Sequence, residues 1–157
     1  MKFLELQNKL RQLNKEAALI RRELTELGPT GLKPFFQQFF EKHPEFVAIR
    51  WLQYTPYFSD GDPCHFSVND FCPEFTKEFW EAHRNEQWKN EYSHEHRWFE
   101  SCTYYLDSSP VSQAAKSALK EFRNSLDSDI LEAIFGDHVQ IEISPAGISV
   151  EEYCDHE

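Results

Sequence analysis

The feature that most constrains this chain is a run of apolar residues near its start, spaced alternately three and four residues apart. This spacing places them at the a and d positions of a heptad repeat, on one narrow stripe of an α-helix. The stripe consists of Phe3, Leu6, Leu10, Leu13, Ala17, Ile20, Leu24 and Leu27. Gly28 and Pro29 then end the helix. Residues 1–28 are therefore predicted to form a coiled-coil helix through which the chain associates with itself.

An alternative is that this helix packs against the chain's own body. A globular helix usually buries a wider apolar face than a strict a and d stripe, which favours self-association. In a parallel arrangement Glu16 at a g position would face Arg21 at an e position of the neighbouring helix. The number of chains stays open, because Leu10 and Leu24 at a favour more than two and Ala17 weakens that preference.

Formal charge is distributed unevenly along the 157 residues, which total −11. Residues 1–31 carry six Lys or Arg against four Asp or Glu, whereas residues 32–157 carry ten against 23. A body this acidic repels a nucleic-acid backbone, which argues against direct DNA or RNA binding. The sequence has neither an apolar run of membrane-spanning length nor a signal-peptide pattern. A cytoplasmic location is therefore expected, with the four cysteines reduced.

The rest of the chain alternates between strand and helix patterns. The predicted strands are residues 46–54, 64–71, 139–143 and 148–150, which pair as two hairpins. The predicted helices are residues 34–43, 110–126 and 130–135, the last two with polar caps at Ser109 and Asp127. Residues 31–157 are therefore expected to form an α+β body, with a mostly antiparallel four-stranded sheet and helices packed on it.

Residues 73–107 break this pattern and are interpreted as an aromatic-rich insertion or lid. Pro73–Phe75 with Phe79 indicates a short helix at its start. His94 and His96 could form half of a metal site. No third ligand lies at a sequence spacing typical of metal sites, so no metal and no cofactor are predicted. The chain also lacks a nucleophile elbow, a phosphate-binding glycine-rich loop and a zinc-protease motif.

The candidate ligand-binding residues surround one arginine. They are Arg50, Trp51, Tyr54 and Tyr57, together with Arg97 and Trp98 of the insertion. Arginine presents a rigid fork of donors to a phosphate or carboxylate, and aromatic faces stack on planar groups. This combination is typical of a site for a small, planar, anionic ligand such as a nucleotide. The alternative is that Arg50 pairs with a carboxylate of the chain and the aromatics serve as packing.

The segment from Trp51 to Cys64 reads W-x-Q-Y-T-P-Y-F-x-D-G-D-P-C and resembles small uncharacterised proteins of tailed bacteriophages. The ending from Phe135 to Tyr153 resembles the same proteins, so the likeness covers roughly residues 45–72 and 130–153. The resemblance implies a bacterial cytosol and no particular mechanism. Small phage accessory proteins often counter host defences by binding, so it favours binding over catalysis.

Three functions are consistent with the sequence. The first is a non-catalytic, oligomeric phage accessory or counter-defence protein that sequesters a small anionic ligand or a host protein. The second is an acidic interaction or structural protein that engages a basic partner. The third is a hydrolase with its site in the insertion at 73–107.

Overall fold

The computed structural model of the protein describes residues 2–56, 61, 63–85 and 106–153. Its helices in these ranges are α1 (Phe3–Leu27), α2 (Pro29–Lys42), α3 (Lys77–His83), α4 (Pro110–Asn124) and α5 (Ser128–Phe135). Its strands there are β1 (Phe46–Tyr54), β2 (Ser67–Val68), β3 (Cys72–Phe75), β4 (Val139–Ser144) and β5 (Gly147–Glu152). The fold is α+β with an N-terminal helix and an antiparallel sheet.

Strand β1 is the centre of the sheet, whose order is β2-β1-β4-β5. One edge of β1 pairs with β4, with Ile49 opposite Ile143 and Trp51 opposite Ile141. The other edge is shared, because β3 pairs along the first part of β1 and β2 pairs with its last two residues. The hairpin of β4 and β5, predicted from strict alternation, is confirmed.

In the described chain the sheet has five strands, where four were expected. The additional strand, β3, lies on this shared edge of β1. The single predicted strand over residues 64–71 is reduced to β2, and the chain then turns Phe71 into the core against Trp51, with ring centroids 4.3 Å apart. The short helix predicted from Pro73–Phe75 and Phe79 begins later than expected, because Phe79 lies on α3 while Pro73–Phe75 belong to β3. Pro73 is tolerated there since an edge strand does not need every N–H.

Most helix boundaries follow the capping signals in the sequence. Helix α1 ends at Gly28, whose φ of +65° suits a residue without Cβ. The Ser109 hydroxyl accepts from the Ser112 N–H at the start of α4, and the Asp127 carboxylate accepts from the Asp129 N–H at the start of α5. Helix α2 begins at Pro29, earlier than predicted, and so follows α1 almost without a break.

All the core-forming helices lie on one face of the sheet. Ile49, Trp51, Ile141 and Ile143 on that face join a single apolar cluster with residues of the helices. The helix residues of this cluster are Leu32, Phe36, Phe39 and Phe40 of α2, Trp80 of α3, Ala115, Ala118, Leu119 and Phe122 of α4, and Leu131, Ile134 and Phe135 of α5. The phenylalanines of α2 are therefore core residues, and the opposite sheet face is the one left for other contacts.

Gln53 is a polar residue in the middle of this apolar layer, fully buried at the end of β1. Its amide nitrogen donates to the carbonyl oxygens of Leu131, at 2.9 Å, and Gly136, at 2.7 Å. Its amide oxygen accepts from the Trp51 indole N–H at 3.0 Å. One side chain thus satisfies three buried polar groups and fastens the end of α5 to β1.

Replacing Gln53 with leucine is expected to lower the free energy of unfolding by about 3 kcal/mol. The variant leaves the Trp51 N–H and two carbonyl groups buried without these bonds, and each such loss costs on the order of 1 kcal/mol or more. Urea unfolding at neutral pH measures the change. Gln113→Leu makes the same chemical change at an exposed position and should stay within about 0.5 kcal/mol of the wild type. Equal stabilities for the two variants would contradict this account.

Candidate functional site

The face of the sheet turned away from the helices, here called the open face, has a mixed polar character. Because side chains alternate along a strand, it carries Arg50, Leu52 and Tyr54 of β1, Gln140 and Glu142 of β4, and Ser149 and Glu151 of β5. None of these residues belongs to the apolar core cluster. In the described chain no helix packs on this face.

A groove of about 610 Å³ runs along the open face beside Arg50. Its lining includes Arg50, Leu52, Asn69, Asp70, Cys72 and Gln140. Strand β1 and the turn between β2 and β3 build it, and a hydrogen bond from the Asn69 N–H to the Leu52 carbonyl, 2.8 Å long, holds that turn in place. The volume falls within the range of small-molecule sites, roughly 300–1,000 Å³.

The groove brings one positive group together with neutral and negative ones. Arg50 stands directly opposite Glu142 on β4 and opposite Cys72 on β3, so that the Cβ atoms are about 5 Å apart. Asp70 lies on the wall, and the amides of Asn69 and Gln140 offer both donors and acceptors. The Arg50 guanidinium can bind one anionic group of a ligand, and the neighbouring amides can hydrogen-bond to the polar remainder of that ligand.

The structure places the predicted site residues in different locations. Arg50 and Tyr54 share the open face, and the Tyr54 ring lies 5.5 Å from the ring of Tyr153 between centroids. Trp51 points the other way and is 1% exposed, so its indole belongs to the core and not to the surface around Arg50. Strand alternation explains this, since neighbouring residues occupy opposite faces. The predicted Tyr57, and Arg97 and Trp98 of the insertion, lie outside the described residues.

Sequence reasoning missed three residues of the groove beside Arg50, and it missed Tyr153 beside Tyr54. Asn69 and Asp70 follow β2 and look like ordinary turn residues, while Gln140 lies on a strand whose register was unknown. Tyr153 comes after β5, in a segment expected to fray. The alternation of β4 was visible in the sequence, but only the pairing of β4 with β1 shows that Gln140 faces the groove.

The end of β1 is fastened by a cluster around Asp137. The carboxylate accepts from the Thr55 N–H at 2.7 Å, from the Thr55 hydroxyl at 2.6 Å and from the His138 N–H at 2.8 Å. Burial raises the pKa of Asp137, but the hydrogen bonds from Thr55 and His138 outweigh it and hold the pKa below its ordinary value. An ionised Asp137 therefore fixes the direction in which the chain leaves β1 after Tyr54.

A second polar cluster joins α3 to the start of α4 and superficially resembles a hydrolase triad. The Nδ1 atom of His83 lies 3.6 Å from the Asp107 carboxylate and 3.4 Å from the Ser109 hydroxyl. A triad needs the acid and the nucleophile on different ring nitrogens, whereas here both face the same one. The Ser112 hydroxyl donates to Asp107 at 2.6 Å. This geometry indicates a structural clamp beside the bridge between Arg84 and Leu106.

Comparison of the chain with protein-family models, with curated proteins and with solved structures gives no match. Across residues 2–56, 61, 63–85 and 106–153, no group of three or more His, Cys, Asp or Glu side chains is arranged to hold a metal ion. The helices in those ranges are all too short or too polar to cross a membrane. His94 and His96 lie outside these ranges, so the site rests on the open-face groove alone.

Asp107→Asn is expected to destabilise the protein at pH 7 and to matter less in acid. Hydrogen bonding by Ser109, then by Ser112, holds the pKa of Asp107 well below its usual range. A depressed folded-state pKa stabilises the fold above the unfolded value, about 3.9, and this contribution is lost as the pH falls below it. The difference between the urea midpoints of wild type and variant should therefore be largest at pH 7 and should begin to narrow as the pH falls from about 4 to 3. A difference that stays constant over this range would contradict the clamp.

Proposed function

We propose that this protein is a non-catalytic, self-associating binding protein that sequesters a small ligand with an anionic group in the groove beside Arg50. The single observation that carries the proposal is the groove itself, which has small-molecule size and is lined by one arginine, one aspartate and the neutral amides of Asn69 and Gln140. A nucleotide-like molecule fits this chemistry, because its planar base can hydrogen-bond the amides of Asn69 and Gln140. Tyr54 supplies an aromatic face on the same side of the strand, four residues and so about 13 Å from Arg50.

The charges around Arg50 narrow the ligand class. Glu142 opposite and Asp70 on the wall offset part of the arginine's charge. A ligand with several phosphates would meet these carboxylates, and like charges repel at such distances. The groove therefore favours a ligand that has a single anionic group and also N–H or O–H groups that can donate hydrogen bonds to Asp70.

Self-association through α1 supports a sequestering role, since an assembly carries several grooves. None of the residues of α1 that the structure describes is buried, although the a and d stripe of the helix is apolar. Phe3 is 80% exposed and Leu13 is 59% exposed. An apolar stripe of this length is more stable against a second helix than against water.

The setting we infer is that of a phage accessory or counter-defence protein in the cytosol of a bacterial host. The resemblance of the segment from Trp51 to Cys64 to tailed-phage proteins supports it. Holding a small signalling molecule away from a host defence requires only binding. A host protein could be captured at the same face in place of the small ligand.

The test is native mass spectrometry on gently purified protein, compared with the same sample denatured. A small-molecule increment is expected on multiples of the 18.6 kDa chain, released on denaturation. Arg50→Ala should lose it, because a charge-assisted bond contributes about 1.5–3 kcal/mol, or roughly tenfold to a hundredfold in affinity. Arg22→Ala, on exposed α1, is the matched control and should keep it. An increment that survives in Arg50→Ala would overturn the site, and none on the wild type would overturn sequestration of a small molecule.

A second candidate is an acidic interaction protein that engages a basic partner. It is favoured by one observation, namely that acidic side chains outnumber basic ones on the open face, where Glu142 and Glu151 lie on neighbouring strands. A basic protein segment could lie across these strands and use Arg50 only at its margin.

This candidate predicts a different response to salt and to mutation. Binding of a lysine-rich peptide should weaken steeply between about 0.05 and 0.5 M salt, and Glu142→Gln with Glu151→Gln should reduce it at least about fivefold. Fluorescence anisotropy with a labelled peptide measures both effects. The matched control is Glu121→Gln with Glu41→Gln, on exposed helix positions away from the sheet. Equal loss in the two double variants would exclude the open face as the acidic site.

A further inference from the structure

The exposed stripe of α1 carries information on how a second copy would be oriented. The row next to the a positions, at g, contains Lys2 and Lys9 in the first half of the helix and Glu16 and Glu23 in the second half. Basic residues near one end and acidic residues near the other make this row complementary to itself when it is reversed. In an antiparallel pair of helices, g positions face g positions of the partner.

The contacts between α1 and its own body fix the usable length of the stripe. The Arg21 guanidinium donates to the Asp127 carboxylate at 3.0 Å, in an exposed ion pair that draws α1 towards α5. Leu24, one turn later, packs against the core of the body. The stripe from Phe3 to Ile20 is therefore the part of α1 that a second copy can reach.

One antiparallel register uses that length from end to end. It places Phe3 opposite Ile20 of the second copy, Leu6 opposite Ala17 and Leu10 opposite Leu13, with each layer repeated by symmetry. In the same register Lys2 faces Glu23 and Lys9 faces Glu16. Counting both copies, all four contacts between the g rows join opposite charges.

The other arrangements are less favourable. Moving the antiparallel register by one heptad sets Glu16 against Glu16 of the second copy and requires Leu24, which already packs in part against the body. A parallel pair would match Glu16 with Arg21, but Arg21 already binds Asp127. In the parallel pair Lys2 and Lys9 would face Gln7 and Asn14, which are neutral.

We infer that two copies of this chain pair through residues 3–20 of α1 as an antiparallel two-helix coiled coil, with Lys2 and Lys9 of each copy facing Glu23 and Glu16 of the other. This inference rests on the self-association proposed above and adds its partner number, register and direction. Each body then begins just beyond the N-terminus of the partner's helix, so the two bodies occupy opposite ends of the pair.

Two double variants test the direction, with mass measured by sedimentation equilibrium. Lys2→Glu with Lys9→Glu makes the g row wholly acidic, and Glu16→Lys with Glu23→Lys makes it wholly basic. Each variant alone should dissociate at least about tenfold more readily than the wild-type dimer, because four attractive contacts become repulsive. Mixed in equal amounts, the two should form a dimer that contains one copy of each. Arg11→Glu with Lys15→Glu makes the same charge change at b and f positions and should leave the dimer unchanged.

The possible failures separate the inference from the proposed function. If the acidic variant dimerises like the wild type and mixing rescues nothing, the helices are parallel, and self-association stands without this direction. A wild-type trimer or tetramer would overturn the two-chain pair in the same way. A wild type that stays at the 18.6 kDa of one chain at all concentrations would overturn both self-association and the inference, while ligand binding at Arg50 is judged by its own measurement.

Discussion

The buried amide of Gln53 is the interaction on which the rest of the fold depends. Strand β1 pairs with β2, β3 and β4, so its position sets the sheet, and Gln53 ties it to the carbonyl ends of α5. An apolar residue of the same size would fill the space but would remove these two hydrogen bonds and leave the buried Trp51 N–H without its acceptor, which is costly. The polar network therefore selects one position of α5 on β1 where packing alone would allow several.

Fixing α5 in this way has a consequence on the other side of the sheet. With the core-forming helices on the Trp51 side, the residues that alternate with Trp51 are left at the surface of the open face. Arg50 would be an expensive residue inside a core, yet on the open face it lies between strands that offer Glu142 and the Asn69–Asp70 turn. The site thus arises from strand alternation, because one strand supplies both the core and the groove.

The features of the fold that the sequence predicts correctly are those set by residues close together in the chain. The heptad stripe, the polar caps before α4 and α5 and the β4–β5 hairpin depend on neighbours in sequence. The helices and the hairpin that they predict are present, with bounds within two residues of those expected, while the pairing of α1 with a second copy stays a prediction. The division of the returning strand into β2 and β3 depends on Phe71 stacking on Trp51, a contact made across the sheet. Asn69, Asp70 and Gln140 meet Arg50 only through strand register, which no local pattern reveals. Trp51 was assigned to the site for its closeness in sequence to Arg50, although adjacent strand residues face opposite ways.

The route by which α1 joins the body bears on whether assembly and binding interfere. Asp127 uses one carboxylate oxygen to cap α5 and the other to bind Arg21, so the direction of α1 is coupled to the helix layer. That layer lies on the core side of the sheet, whereas the groove beside Arg50 lies on the open face. A second copy seated on residues 3–20 would contact the exposed apolar residues of α1. We therefore expect the proposed ligand binding and the proposed pairing to be independent equilibria, so that a substitution in the groove changes the affinity for ligand without changing the mass of the assembly.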